Sequence, residues 1–193
     1  MEINNKIKIG DSFDILPQIP DNYADIIITD PPYDLKEHEK QFLHDQFKRI
    51  SEGWIIVFSP PENQWLFPDI EQFLFWIKPI STKNTSKRYS RFVEMMFVYG
   101  NGVWNTGRHW SQYTNVFTDL VDEKNIHPFR KPPSIAERLI KNHTDFFDVV
   151  LDPFCGSGIF CETAYALGRS FFGIEINREL ISNSFSSNQI ELE

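Results

Sequence analysis

Two apolar runs of this chain each end in an aspartate and a tight turn, and that pairing limits the folds available to it. Ala24-Asp25-Ile26-Ile27-Ile28-Thr29 leads into Asp30-Pro31-Pro32-Tyr33. Val149-Val150-Leu151 leads into Asp152-Pro153-Phe154-Cys155-Gly156-Ser157-Gly158. Short runs that are apolar on both faces read as strands buried in a parallel sheet. In open α/β sheets ligands bind beyond the carboxyl ends of the strands. Two such ends side by side would make one site for two ligands.

The rest of the chain supplies the sheet and its helices. Lys6 to Asp11 reads as a strand with a Gly-Asp turn, and Phe13 to Ile19 as a short helix closed by Pro17 and Pro20. Lys40 to Ile50 has helical spacing, and Trp54 to Phe58 is a buried strand stopped by Ser59-Pro60-Pro61. Asn63 to Phe75 is expected to be helical, broken near Pro68, with strands at 76–78 and 92–99. Ser134 to Asn142 is amphipathic. Ser134 is its expected N-cap, with Glu137 completing a capping box. A strand over 146–151, a helix over 159–167, a strand over 171–176 and a last helix from Arg178 to about Asn188 follow. Strands alternating with helices predict an α/β fold, a doubly wound, mostly parallel sheet. The 193 residues fit a single domain, 1–193, with a small insertion around 78–125. Residues 100–125 carry little periodicity, and long irregular segments in compact domains are usually functional or mobile.

Bulk properties bound the function. Apolar runs stay well short of the ~20 residues that span a bilayer, and the N-terminus has no signal-peptide core. Cys155 and Cys161 form neither a disulfide framework nor part of a zinc cluster, so no metal is expected and a reduced, cytoplasmic setting is. The net charge is −8, but it is divided unevenly. Residues 72–141 hold 11 lysines and arginines against 5 acids, whereas 1–71 hold 6 against 14 and 142–193 hold 2 against 8. A basic middle between acidic flanks favours one face for a polyanion.

The two turns carry chemistry. Gly156 and Gly158 let the backbone approach a ligand before a helix N-terminus. Glu175 ends the next strand, where an acid can accept ribose hydroxyls. The loop is free of arginine and begins at Asp152, which suits a cofactor with positive charge and no phosphates. In Asp30-Pro31-Pro32-Tyr33 the prolines lack N–H donors and stiffen the turn. Asp30 and the Pro31 carbonyl then supply two acceptors and Tyr33 a flat ring, the complement of an exocyclic base amine.

These segments together resemble the S-adenosylmethionine-dependent amino-methyltransferases of DNA, which act on adenine N6 or cytosine N4. Asp30-Pro31-Pro32-Tyr33 is similar to their catalytic motif and Leu151 to Gly158 to their cofactor motif. Phe172 to Asn177 resembles the ribose-binding strand, His127 to Pro133 the segment over the methionine part, and Gly10 to Leu16 the Gly-Asp segment. The catalytic motif comes first, as in the β-type order, and Ile159-Phe160 stand where many relatives have two threonines.

The resemblance implies a Rossmann-like methyltransferase fold and S-adenosylmethionine as cofactor. The residues it points to for holding the cofactor are Asp11, Asp30, Lys131, Asp152, Phe154, Gly156, Ser157, Gly158, Glu175 and Asn177. It implies Asp30, Pro31, Pro32 and Tyr33 as catalytic residues, acting by hydrogen-bonding and stacking on a base flipped out of the duplex. The expected DNA contacts are Lys83, Lys87, Arg88 and Arg91, with Arg108 and Trp110 reading or opening the base pair. Asp30 heading the motif favours adenine N6. Cytosine N4, RNA as substrate, or a non-catalytic subunit of a methyltransferase complex are the alternatives. The short recognition region leaves room for a homodimer or a partner subunit.

Overall fold

The computed structural model describes residues 5–78, 92–119, 130–181, 185–186 and 189–191. Within them lie β1 (Lys6–Ile9), α1 (Ser12–Ile15), β2 (Ala24–Thr29), α2 (Glu37–Ile50), β3 (Ser51–Ser59), β4 (Ile70–Ile77) and β5 (Val93–Tyr99). β6 (Val116–Phe117), α3 (Pro133–His143), β7 (Val149–Asp152), α4 (Ile159–Ala166), β8 (Ser170–Glu175) and β9 (Ile190–Glu191) complete them. The described strands form one sheet in the order β6-β4-β5-β3-β2-β7-β8-β1-β9. Every pairing is parallel except those that β5 makes with β3 and β4. The expected doubly wound, mostly parallel sheet is therefore what forms.

Side chains alternate between the two faces, as the strand period of two requires. Ile26, Ile28, Ile56, Phe58, Met96 and Val98 enter one core with α3 and α4. Ile27, Ile55, Val57, Phe97 and Tyr99 enter the other with α2, whose Leu43, Phe47 and Ile50 are fully buried. Each such side chain contributes about 1.5–3 kcal/mol relative to exposure. One glycine is demanded by this packing. A Cβ on Gly173 of β8 would lie 2.9 Å from the sulfur of Cys161 and 3.1 Å from that of Cys155, so α4 and the preceding loop can lie this close only over a glycine.

The chain runs from β2 outward through β3 on one side and from β7 through β8 and β1 on the other. β2 and β7 are adjacent, so they flank the point where strand order reverses, and both end at the same edge of the sheet. Asp30 follows the one and Asp152 ends the other.

Three expectations are corrected. β4 begins at Ile70, so residues 70–75 are extended where the end of a helix was expected, and the strand expected at 76–78 is only its last part. Leu66, Phe67, Ile70, Phe73, Leu74 and Ile77 mimic helical spacing, but antiparallel pairing with β5 from Ile70↔Tyr99 to Ile77↔Val93 overrides it. α3 starts at Pro133 with Pro132 as N-cap and no side-chain cap; Glu137 pairs with Lys141 one turn on instead of closing a capping box. Of the last helix expected from Arg178 to about Asn188, the described residues give one 3-10 turn, Arg178–Leu180; positions 182–184 and 187–188 lie outside the described residues, and β9 follows beyond that range, beside β1.

The irregular segment after Gly100 has a structural job. It starts at the end of the sheet opposite Asp30, because β5 runs against its neighbours. It then follows α3 to β6, which pairs with the end of β4. The Asn105 side chain donates to the Lys141 and Thr144 carbonyls, 3.2 and 2.7 Å away, satisfying the free end of α3. Arg138 of α3 donates to the Gln112 and Val116 carbonyls, at 3.0 and 3.3 Å, and also to that of Thr114. Expected as functional or mobile, the segment is a strap bonded along one helix.

Candidate active site

Asp30 is held by two groups, one from its own turn and one from the segment before α3. Its Oδ2 accepts from Lys131 Nζ at 2.6 Å, and its Oδ1 accepts from the Tyr33 hydroxyl at 3.0 Å. Lys131 lies just before α3, with its side chain 6% exposed between two carboxylates, Asp30 and Glu94 of β5. Glu94 in turn takes Lys78 at 2.5 Å through Oε2. Burial pushes the Asp30 carboxyl above its usual range; Lys131 pulls it down and Glu94 pushes it up. Burial would raise Glu94 as well, but the ammonium groups of Lys131 and Lys78 outweigh it and hold Glu94 low. Burial opposes the charge on Lys131, yet the two carboxylates keep it firmly protonated.

Beside this cluster, Asp152 is buried at the end of β7. Its Oδ1 accepts from the Phe154 N–H at 3.2 Å, and burial pushes its carboxyl up to about 8. The turn that follows is pinned at both ends. Cys155 N–H donates to the Ile174 carbonyl at 2.9 Å, and the Ser12 hydroxyl donates to the Pro153 carbonyl. Gly156 and Gly158 both have positive φ, 52° and 80°. A side chain at Gly156 would meet nothing within 4 Å, so the backbone there opens onto space. Glu175, at the tip of β8, accepts from the Gly156 and Asn177 N–H groups, each at 2.8 Å.

Between these groups lies a cavity of about 470 Å³. Asp11, Asp30, Lys131, Asp152, Phe154, Gly156, Ser157 and Glu175 line it, eight of the ten residues expected at the cofactor. Gly158 and Asn177 do not line it: Gly158 caps α4 beneath, and the Asn177 side chain accepts from Glu179 N–H. Pro32 lines the cavity, Pro31 is buried, and Tyr33 stands 45% exposed at the rim.

Sequence reasoning missed Ser12, Arg130 and Glu94. For Glu94 a signal existed, an acid inside the apolar run Phe92 to Tyr99 that the strand period turns inward. No group of histidine, cysteine and acidic side chains among the described residues could hold a metal. No described helix is long and apolar enough to cross a membrane.

The expected DNA contacts fare differently. Lys83, Lys87, Arg88 and Arg91 lie outside the described residues, as do His127, Pro128 and Phe129. The segment 79–91 nonetheless leaves and re-enters the described chain at the edge of the sheet that holds Asp30, where Lys78 N–H donates to the Phe92 carbonyl at 2.6 Å. Arg108 and Trp110 do not reach the cavity. The Arg108 guanidinium donates to Asn142 near the far end of α3, roughly 15 Å along the helix from Lys131 at 1.5 Å per residue. Trp110 is 70% exposed on the same strap. The reason is the reversal of β5, which delivers the chain after Tyr99 to the opposite edge.

Comparison with known proteins agrees with this geometry. A family model described as DNA methylase, of the N6/N4 type, matches residues 55–186. The type II methyltransferase M.BglII of Bacillus subtilis is 25% identical, covering 94% of this chain and 68% of that protein. The DNA adenine methyltransferase YhdJ of Escherichia coli (strain K12) is 47% identical over 62 residues, which is 32% of this chain and 21% of its own. Among solved structures, the M1.HpyAVI–SAM complex superposes with a TM-score of 0.72 at 26% identity, covering 91% of this chain and 95% of the other.

Proposed function

Because the chain belongs to the N6/N4 amino-methylating DNA methylase family, we propose that it methylates the exocyclic N6 amine of adenine in DNA, with S-adenosylmethionine as donor. The observation that carries this reading is the Asp30 carboxylate, held at a strand end beside a cavity of a size that suits a small-molecule cofactor. The residues fit the donor. Asp152 and Asp11 offer carboxylates to a cationic ligand, Glu175 offers one to ribose hydroxyls, and the Gly156 turn leaves open space for close approach. Bound there, S-adenosylmethionine supplies a methyl group on a cationic sulfur that departs as a neutral thioether.

The protein's part is to make the amine a nucleophile and to place it. The adenine amine is weakly nucleophilic because its lone pair is delocalised into the ring. Asp30 and the Pro31 carbonyl, accepting its two N–H bonds, localise the lone pair on nitrogen. A bond from nitrogen to the methyl carbon forms as the carbon–sulfur bond breaks, and one amine proton then leaves through Asp30 to water. Most of the acceleration comes from positioning and fixed charge. Tyr33 at the rim offers a ring to the base, which must leave the duplex to reach Asp30. Asp30 at the head of the motif favours adenine, and the 62-residue likeness to an adenine methyltransferase supports the same choice.

Direct sequencing of the genome of a methylation-free host expressing the protein tests this. N6-methyladenine at one sequence motif is the expected result. N4-methylcytosine would replace the substrate, and no modified base would return the chain to the role of a subunit.

Asp152 adds a pH dependence. With its folded pKa near 8 and an unfolded value near 3.8, the carboxyl is largely protonated at neutrality in the ligand-free protein. Its contribution to stability is full below about pH 4 and is lost as pH rises through 8. A cationic ligand in the cavity favours the ionised form, so binding releases a proton. Affinity for S-adenosylmethionine should therefore tighten as pH rises towards 8 and level off above it. Titration calorimetry in two buffers of different ionisation enthalpy measures the proton directly, and Asp152→Asn should abolish it. Equal heats in both buffers for the wild type would refute this role.

A further inference from the structure

Four carboxyl groups line the cavity, those of Asp11, Asp30, Asp152 and Glu175, together with two cations, Arg130 and Lys131. S-adenosylmethionine brings two positive groups, a sulfonium and an ammonium, and one negative group, the carboxylate of its amino-acid arm. The acids answer the positive groups. The carboxylate needs a cation with N–H groups to spare, and the two lining cations differ in that respect.

Lys131 is committed. Its ammonium group is in ion-pair contact with Asp30 and Glu94 at once, its side chain is 6% exposed, and the Phe58 ring covers it at 5.0 Å. Drawing it to a third carboxylate would weaken the two partly or wholly buried pairs that keep it protonated.

Arg130 is in the opposite position. Its Nη2 donates to Glu162 Oε2, in the first turn of α4, at 2.6 Å. Its Nε is buried and meets no acceptor among the described residues. A guanidinium carries five N–H donors. Buried donors are nearly always paired, so a guanidinium short of acceptors in a cavity wall points to one that arrives with a ligand. The bond to Glu162 also holds the side chain between the segment before α3 and α4, which lowers the cost of ordering it on binding.

Its place along the cavity agrees. The pairs Ile27↔Leu151 and Asp152↔Gly173 set Asp30 and Glu175 at the same height, two strands apart. At the usual strand spacing that is roughly 10 Å. Arg130 directly precedes Lys131, whose ammonium group bonds Asp30, so it belongs to the Asp30 end. With the ribose at Glu175, the amino-acid arm beyond the sulfur falls to that end.

We propose that Arg130 takes the carboxylate of the cofactor's amino-acid arm and thereby makes the site prefer a ligand that carries one. The inference rests on the reading of S-adenosylmethionine as donor. A guanidinium meets a carboxylate through parallel, charge-assisted N–H bonds, which is why this pairing discriminates strongly.

The test is titration calorimetry of the protein with S-adenosylmethionine and with its decarboxylated form, which keeps the sulfonium and the amine. Both titrations run at one pH, because Asp152 makes binding pH-dependent. The wild type should prefer S-adenosylmethionine by about tenfold or more, the usual scale for hydrogen bonds to a charged group. In Arg130→Ala that preference should vanish or reverse, chiefly through weaker binding of S-adenosylmethionine. Arg130→Lys keeps the charge without the fork and should restore part of it. A merely structural Arg130 would weaken both ligands alike, so an Arg130→Ala with the wild-type preference overturns the proposal. That result would hand the carboxylate to backbone N–H groups. If Arg130→Ala does not fold, Arg130→Met keeps the packing stem and is judged by the same ratio. A wild type that binds S-adenosylmethionine but does not prefer it removes the role of Arg130 alone. A wild type that binds neither ligand removes the cofactor reading itself.

Discussion

Asp30→Ala should lose methyl transfer by roughly 10²–10³-fold, equivalent to about 2.7–4 kcal/mol, as for removal of one preorganised transition-state partner. The fold should survive. Breaking a buried ion pair commonly costs about 3–5 kcal/mol because the remaining charge is stranded. Here Lys131 keeps Glu94 as a counter-charge, so the cost should fall well below that range. Affinity for S-adenosylmethionine should change little, because a carboxylate already neutralised by Lys131 adds little attraction for a cation. The measurement is paired: thermal melting with and without S-adenosylmethionine, then single-turnover transfer. A cofactor-dependent rise in melting temperature together with absent transfer assigns Asp30 to the chemical step. Normal transfer by a folded Asp30→Ala would end the mechanism proposed above.

The same cluster shows where sequence reading stops. β2, β3, β7 and β8 were legible because strands buried on both faces must be apolar throughout, and few other structures tolerate such short runs. The two turns were legible because proline and glycine fix backbone conformations that few residues share. Asp30, Asp152, Gly156 and Glu175 therefore converge on one cavity as expected. β4 was not legible. Its apolar residues satisfy a helical period, and only the partner strand β5, some 20 residues away in sequence, makes the extended form win. The bonding of the strap after Gly100 was not legible for a related reason. Its polar groups look idle in sequence, whereas Asn105 and Arg108 are committed to the end of α3. Charge alone says nothing about direction, and the reversal of β5 sent Arg108 to the far edge of the sheet. Glu94 combines both difficulties. Its partners Lys78 and Lys131 lie 16 and 37 positions away, so the strand period that turns it inward does not say which charges it meets there.

Replacing Lys87, Arg88 and Arg91 by alanine should weaken binding to duplex DNA of any sequence and flatten its salt dependence. The argument begins with the division of charge, which leaves 72–141 as the basic part of an otherwise acidic chain. Topology now supplies the location. β4 runs parallel to β3, so the segment after Ile77 departs from the edge of the sheet where Asp30 lies. We propose that this segment is the small recognition insertion of the domain, the part that holds the duplex while a base enters the cavity. Lys78 is committed to Glu94, so the phosphate contacts must come from the residues beyond it. Each neutralised phosphate contributes about 0.9 to the slope of log affinity against log salt, so three lost contacts should reduce the slope by up to about 2.7. Arg108→Ala is the internal control. Its charge is equally basic but tied to Asn142 at the opposite edge, so it should lower thermal stability and leave the slope unchanged. Titrations of an unmethylated duplex at several salt concentrations, with wild type and both variants, make the comparison. A triple variant with the wild-type slope, or an Arg108→Ala that flattens it, would move the DNA to another face of the molecule. That outcome would favour a second subunit as the source of the phosphate contacts, since the acidic flanks of this chain offer no other cluster of cations.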